Sequence, residues 1–431
     1  MIKKFIIFCM MFFIFDTANA AALINDTELE SVLTELVTPL ARAANIPDGR
    51  LKIYIVNSDE FNAFVRGGEE VFVYTGLLTQ IKSPLALTAV VAHELGHTLG
   101  GHMVHMSARM SAELTRSMII QALGVGLMVA GGNPSLGAGV LAGAGGVAQQ
   151  SLLAFTRDEE RIADDLGVDL MVRAGLDPNG FIEVFEQMRE MMDATESRIN
   201  PNRVNHPMTT ERLKNVKEKI SKTDFKSNKS ENEKHNEEYA FVRAKLVGYL
   251  DGASRVKSLY PSSDTSGPAL YARAIANMRA GNLSGARVGT LTLISRMPKN
   301  PYFYELLGDI EYQYGHYDDS VTAYEKSLEL SKNAPQIQTA LALVLSERKK
   351  PNDIDRAIEL SKRSLLISPA PLTYWVLART ESGGKADWAM AEYYNMVNKP
   401  KDAQKYAKRA QSKLPKNSPE YIKSGDLLRL K

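Results

Sequence analysis

His93-Glu94-Leu95-Gly96-His97 sets two imidazoles four residues apart around a carboxylate. On an α-helix such positions share a face, so His93 and His97 can aim ring nitrogens at a single ion. The pattern reads as half of a zinc peptidase site, in which Glu94 could take a proton from a water held at the metal. A five-residue pattern also arises by chance, and a lone histidine on a buried helix is ordinarily a satisfied core residue. Two histidines framing a glutamate make that bland reading the weaker one.

The elements around the motif support a helix. Ser83-Pro84 is a start signal, a capping hydroxyl followed by proline in the first turn. Leu85, Leu87, Val90, Val91 and Leu95 then repeat at helical spacing. A helix is expected over residues 84–99, continuing past Gly100-Gly101 towards residue 115. Catalytic zinc usually takes three protein ligands plus water, so one ligand is missing. Just downstream, the spacing of a metzincin would need histidine where Met103 stands. On a continuing helix His102 would point away from His93, at about 100° per residue. His102 and His105 therefore read as polar or packing residues of the other side. Further on, Glu160 and Asp164 are four apart on a second helical segment, with Arg157 and Arg161 nearby. Alone, that pair would be a salt-bridged helix face.

The chain has 431 residues, enough for roughly two to three domains. Its composition is globular, and a net charge of +2 with no basic stripe gives no case for nucleic acid. Residues 1–20 read as a secretory signal: Lys3 and Lys4, the apolar run Phe5 to Phe15, then Ala18-Asn19-Ala20, with cleavage after Ala20. The single cysteine, Cys9, lies inside it, so the mature chain would be exported without disulfides.

From residue 21 to 220 a mainly helical domain with a small β-sheet is expected. A helix is assigned to 27–43, and strands to Leu51–Val56 and, after the Gly67-Gly68 turn, Glu70–Thr75. Residues 118–148 are apolar and glycine-rich. They read as close-packed helices or as a hairpin that touches the membrane or gates substrate. Residues 221–238 are polar and charged and read as a solvated linker, His235 being exposed there. Residues 239–431 read as helical throughout. Gly281 and Gly315 stand at matching turn positions 34 residues apart, the tetratricopeptide period, with weaker copies around Ala357 and Ala403. Such repeats stack into a solenoid whose concave face binds peptides or proteins.

Taken together, these segments resemble the secreted, BepA-type branch of the HtpX/CAAX-prenyl-protease metallopeptidases. The likeness rests on Asn62-Ala63-Phe64, Gly67-Gly68, Gly76-Leu77-Leu78, His93 to His97, Glu160 to Asp164, Ala174 to Pro178 and His206 to Arg212. It departs at Arg66 and Glu69-Glu70, where the family more often has proline and small residues. The resemblance implies a gluzincin-like domain followed by the solenoid, holding one zinc ion through His93, His97 and Glu160. It makes Glu94 the catalytic base. Asp164 would be either an orienting partner for a ligand imidazole or a proton donor. His206 is implied as a removable fourth ligand, or reads as a simple turn with Pro207. Arg212 is a candidate contact for substrate or oxyanion. The implied setting is the periplasm, with unfolded or unassembled outer-membrane proteins as substrates and the assembly machinery on the repeats. The strand at 70–75 would offer its edge to extended substrate. A rival reading is an assembly chaperone whose peptidase site stays latent.

Overall fold

A computed structural model describes residues 23–102, 157–193, 206, 209–225, 229–331 and 334–429. The signal segment at 1–20, His105 and the glycine-rich segment at 118–148 lie outside these residues. The chain is mainly helical with one four-stranded sheet, as its patterning predicts. It divides into two compact units. One holds residues up to Val32, Ile55–Ser58 and Ala240–Lys431; the other holds Leu33–Tyr54 and Asp59–Tyr239. Among the described residues, no helix is long and apolar enough to cross a membrane.

The sheet contains β1 (Leu23–Ile24), β2 (Lys52–Val56), β3 (Ala63–Arg66) and β4 (Glu70–Tyr74), in the order β1-β2-β4-β3. Helix α1 (Thr27–Ala43) precedes β2. β3 and β4 form an antiparallel hairpin in which Phe64 faces Phe72 and Arg66 faces Glu70. Its turn uses Gly67 and Gly68 at φ 60° and 80°, a conformation that glycine takes without a Cβ clash. The hairpin corrects the expectation for the edge. β4 is an inner strand, and β3 takes the edge position instead. Four residues of alternation are too few to announce a strand against loop background.

The second unit carries the motif. Helices α2 (Thr75–Gln80), α3 (Pro84–Leu99), α4 (Arg157–Arg173), α5 (Gly180–Asp193) and α6 (Thr210–Ser221) follow the hairpin. α3 packs on α4, α5 and β3, and α6 packs on α4 and α5. The Ser83 hydroxyl accepts from the Ala86 N–H at 3.0 Å, so α3 starts where its capping signal stands. It ends at Leu99, and the chain turns at Gly101 with φ 68°. α3 and α4 cross closely enough that a Cβ on Gly96 would lie 2.4 Å from the Ala163 carbonyl oxygen. The charged stretch at 221–238 is not a linker through its length, because α7 (Lys229–Leu250) begins inside it. His235 is buried on that helix rather than exposed. A mostly polar helix can still bury one position, which composition alone conceals.

In the other unit, α8 (Ala253–Leu259) leads into helical hairpins: α9 (Gly267–Arg279) with α10 (Leu283–Arg296), α11 (Pro301–Tyr314) with α12 (Tyr317–Leu330), and α13 (Pro335–Arg348) with α14 (Asp353–Ile367). α15 (Pro371–Thr380), α16 (Gly383–Met396), α17 (Pro400–Gln411) and α18 (Pro419–Arg429) complete the series. Gly281 and Gly315 both take left-handed φ, at 77° and 83°, at the turns inside the first two hairpins. Phe303, Tyr271, Ile310 and Tyr324 anchor the core. At its base Lys245, only 3% exposed, meets Asp26 at 2.7 Å, Glu28 at 3.2 Å and Glu305 at 3.5 Å. The Tyr271 hydroxyl donates to Glu28 at 2.9 Å. A buried ammonium is tolerable only with such partners.

Candidate active site

His93 and His97 lie one turn apart on α3 and are buried, as are Glu160 and Asp164 one turn apart on α4. The close α3–α4 crossing brings the two pairs together. His93 Nε2 and His97 Nε2 are 3.1 Å apart, and each is 3.5 Å from a Glu160 carboxylate oxygen. His206 completes the cluster, its Nδ1 lying 2.7 Å from Glu160 Oε1 and 3.3 Å from His93 Nε2. These four residues form a group whose ligand atoms could hold a metal ion. The spacing supports that. An ion bonded at about 2.0–2.2 Å to tetrahedrally placed nitrogen and carboxylate ligands sets neighbouring donors roughly 3.3 Å apart. The observed separations of 2.7–3.5 Å bracket that edge. Imidazole nitrogens, which give up their proton to bind an ion, together with a carboxylate also suit a borderline divalent ion.

The outer contacts orient the donors. His93 Nδ1 lies 2.8 Å from Asp164 Oδ1, so a proton there faces the carboxylate and leaves Nε2 for the ion. His97 Nδ1 lies 2.9 Å from His102 Nδ1. With Nε2 reserved for a metal, Nδ1–H of His97 donates to His102. His102 is thus a buried partner of the site, although not one of the cluster's four donors. Sequence reasoning placed it on the far side because the azimuth rule was carried past the end of α3. Arg212, near the start of α6, clamps the carboxylates. Its Nε and Nη2 donate to the two Asp164 oxygens at 2.8 Å each, and Nη1 lies 2.7 Å from Glu160 Oε2. Its guanidinium also sits 5.1 Å from the Phe185 ring centroid. Arg212 is therefore engaged by acidic side chains of the site itself. Thr209 caps the helix that carries it, accepting from the Arg212 N–H at 3.2 Å.

Burial and charge tune the groups in different directions. Burial alone would lower His93, but Asp164 and Glu160 outweigh it and lift this imidazole to about 9. Burial brings His97 down to about 4. For Glu160 burial acts upward, yet His206, His93 and His97 hold the carboxyl far below its usual range. Asp164 is likewise lowered, Arg212 and His93 overcoming burial. Glu94 moves the other way, raised by desolvation against the pull of His206 and His93. Its Oε1 lies 3.3 Å from His206 Nε2. Glu160 and Asp164 thus stay ionised, while Glu94 favours taking a proton.

An apolar pocket of about 100 Å³ adjoins these groups, with Leu77, Val90, Phe181 and Phe185 in its lining beside His93 and Glu94. Asn62 and Ala63, where β3 begins, also border it. The edge strand therefore leads to the site.

Comparison with known proteins extends the likeness beyond the motif. Residues 25–220 match the profile of Peptidase family M48. The chain is 25% identical over 335 residues to the beta-barrel assembly-enhancing protease of Escherichia coli (strain K12), covering 75% of this chain and 66% of that protein. A protein of the same name from Yersinia pestis is 25% identical over 381 residues, with coverage of 85% and 74%. Metalloprotease LoiP of Escherichia coli (strain K12) is 25% identical over 201 residues, covering 47% of this chain and 74% of its own. The chain thus spans about two thirds of the length of the first relative. Two histidines of one helix and a glutamate of the next thus converge at ligand spacing inside residues 25–220, the stretch that matches Peptidase family M48.

Proposed function

We propose that this chain is a periplasmic zinc endopeptidase that cleaves misfolded or unassembled outer-membrane proteins, with a tetratricopeptide domain at 239–431 to engage clients or assembly machinery. The observation that carries the peptidase reading is the convergence of His93, His97 and Glu160 beside Glu94, at an apolar pocket bordered by β3, the sheet's edge among the described residues. His93, His97 and Glu160 would hold a zinc ion, which would supply Lewis acidity towards the scissile carbonyl and the attacking water. Glu94 accepts the water's proton and returns it to the leaving amine, which needs no second acid. Asp164 holds the His93 tautomer, and Arg212 holds Asp164 and Glu160 in place. An extended substrate adds to β3, the edge that leads past Glu94, and buries one apolar side chain in the pocket. The relatives' name supports a role in β-barrel assembly, residues 1–20 support export, and the outer-membrane clients and periplasmic setting rest on the resemblance.

Glu94→Gln tests this reading. The variant should retain about one zinc per chain by elemental analysis and lose cleavage of an unfolded outer-membrane protein by roughly 10²–10⁴-fold. Near-normal cleavage would place the catalytic base elsewhere. A second reading has its own observation: His206 sits at the fourth corner of the cluster, within 2.7 Å of Glu160. Held there, it would keep the peptidase latent, with client binding as the main activity. Rescue of a deletion phenotype by Glu94→Gln as fully as by the wild type would favour that alternative.

A further inference from the structure

The sheet face turned away from the core carries a row of stacked rings that runs across the strands. Tyr54 of β2 stacks on Phe72 of β4 with centroids 4.9 Å apart, and Phe72 stacks on Phe64 of β3 at 4.6 Å and 6°. Arg66 lies over Phe72 at 5.0 Å, and Tyr74 meets Phe64 edge-on at 6.3 Å. The intervening residues Ala63, Val65, Val71 and Val73 are 0–5% exposed and pack into the core, whereas the three stacked rings are half-buried. The row ends on Phe64. Among the described residues, β3 pairs only with β4.

Strands in a sheet are spaced about 4.7–4.9 Å apart, close to the 4.6 and 4.9 Å between these rings. A strand added at β3 would therefore bring one side chain directly opposite Phe64, on the same face and at stacking distance. The same strand passes the pocket, since Asn62 and Ala63 border it with His93 and Glu94. We infer that Phe64 is a specificity-determining residue that selects extended protein segments carrying an aromatic side chain at the position paired with it. The occupant is a substrate strand with aromatic residues at alternate positions, the pattern in which one face of a β-strand is aromatic. This inference rests on the peptidase reading for its substrate, but its binding component does not depend on hydrolysis. Continuity between the ladder, the edge and the metal-site pocket favours a substrate over any other partner.

The test uses two synthetic peptides of alternating sequence, identical except that one has tyrosine and the other threonine at every second position. Both are given to the zinc-loaded protein. Cross-strand aromatic stacking should favour the tyrosine peptide in kcat/KM by about two- to tenfold. Phe64→Leu, which keeps an apolar side chain but removes the ring, should bring that ratio close to one. Phe64→Val provides a second variant should the first fold poorly. Binding of both peptides to Glu94→Gln protein, followed by fluorescence anisotropy, should show the same preference. Equal treatment of the two peptides by the wild type, or an unchanged preference in Phe64→Leu, would overturn the inference. So would absence of binding, or a concentration-dependent dimer abolished by Phe64→Leu, which would assign the edge to a second copy. Selective binding without hydrolysis would refute the peptidase reading while leaving the ladder's role intact.

Discussion

Replacing Gly96 by alanine should damage the metal site without touching a donor. The added Cβ would lie 2.4 Å from the Ala163 carbonyl oxygen on the facing helix. Real Cβ contacts essentially never fall below 3.0 Å and are ordinary only from 3.4 Å, so α3 and α4 must separate by roughly 0.6–1.0 Å. His93 and His97 ride on one helix and Glu160 on the other, whereas metal–ligand distances tolerate only about ±0.2 Å. The shift exceeds that tolerance several-fold, and zinc affinity should fall at least about tenfold, or roughly 1.4 kcal/mol. Global stability should respond less. Overpacking costs about 1–3 kcal/mol, but alanine recovers nearly 1 kcal/mol of helix propensity over glycine. Competition against a chromophoric chelator gives the affinity, and thermal melts with and without zinc give the stability. Gly252→Ala, where a Cβ would meet nothing within 4 Å, is the control. Zinc affinity in Gly96→Ala within threefold of wild type would refute the argument that this crossing sets the donor geometry.

His206→Ala should retain zinc through the other three donors and raise the initial rate on an unfolded substrate; a fall would mean that His206 serves substrate or transition state. The repeat unit should lose stability as pH rises from about 4.5 to 8. Burial, aided by Asp26, Asp309 and Glu28 against Lys245, lifts Glu305 to about 8, and burial, against the Tyr324 hydrogen bond and Lys245, lifts Asp309 to about 7. The folded state therefore binds protons that the unfolded chain releases near pH 4, and their stabilisation is lost as pH passes the folded values. The melting temperature should be lower at pH 8.5 than at pH 5.5, and Glu305→Gln should flatten the trend; a rising melting temperature would contradict it.

What the sequence disclosed depended on range. α3 was legible because its cap, its proline and its apolar period are all local, and α1, β2 and β4 were legible for similar reasons. The 34-residue spacing of Gly281 and Gly315 survives in the hairpin turns. β3 was hidden by its length, and His235 by the charged residues around it. Arg212 was recognised as part of the site but not as a clamp, since its partner Asp164 is 48 residues away. Lys245 gave no signal, because a lysine between apolar helical positions looks like an ordinary surface residue. Only long-range packing brings Glu305, 60 residues on, against it.

The unit that contains the repeats also includes residues near the beginning of the described chain, and this bears on how it folds. Glu28 receives the Tyr271 hydroxyl across 243 residues, and Thr27 donates to Gln336 across 309. Most other contacts in the unit join neighbouring helices and can form as soon as each hairpin is made. The contacts of Asp26 and Glu28 instead close a loop that takes in nearly all of residues 25–220. Loop-closure entropy grows only slowly with length, so the cost in final stability is modest, but the search is long. A chain emerging from its N-terminus holds Asp26 and Glu28 without Lys245 until more than two hundred further residues have followed. Sealing the repeat unit is thereby a late event, and a segment that precedes the metal-site helices is among the last to settle.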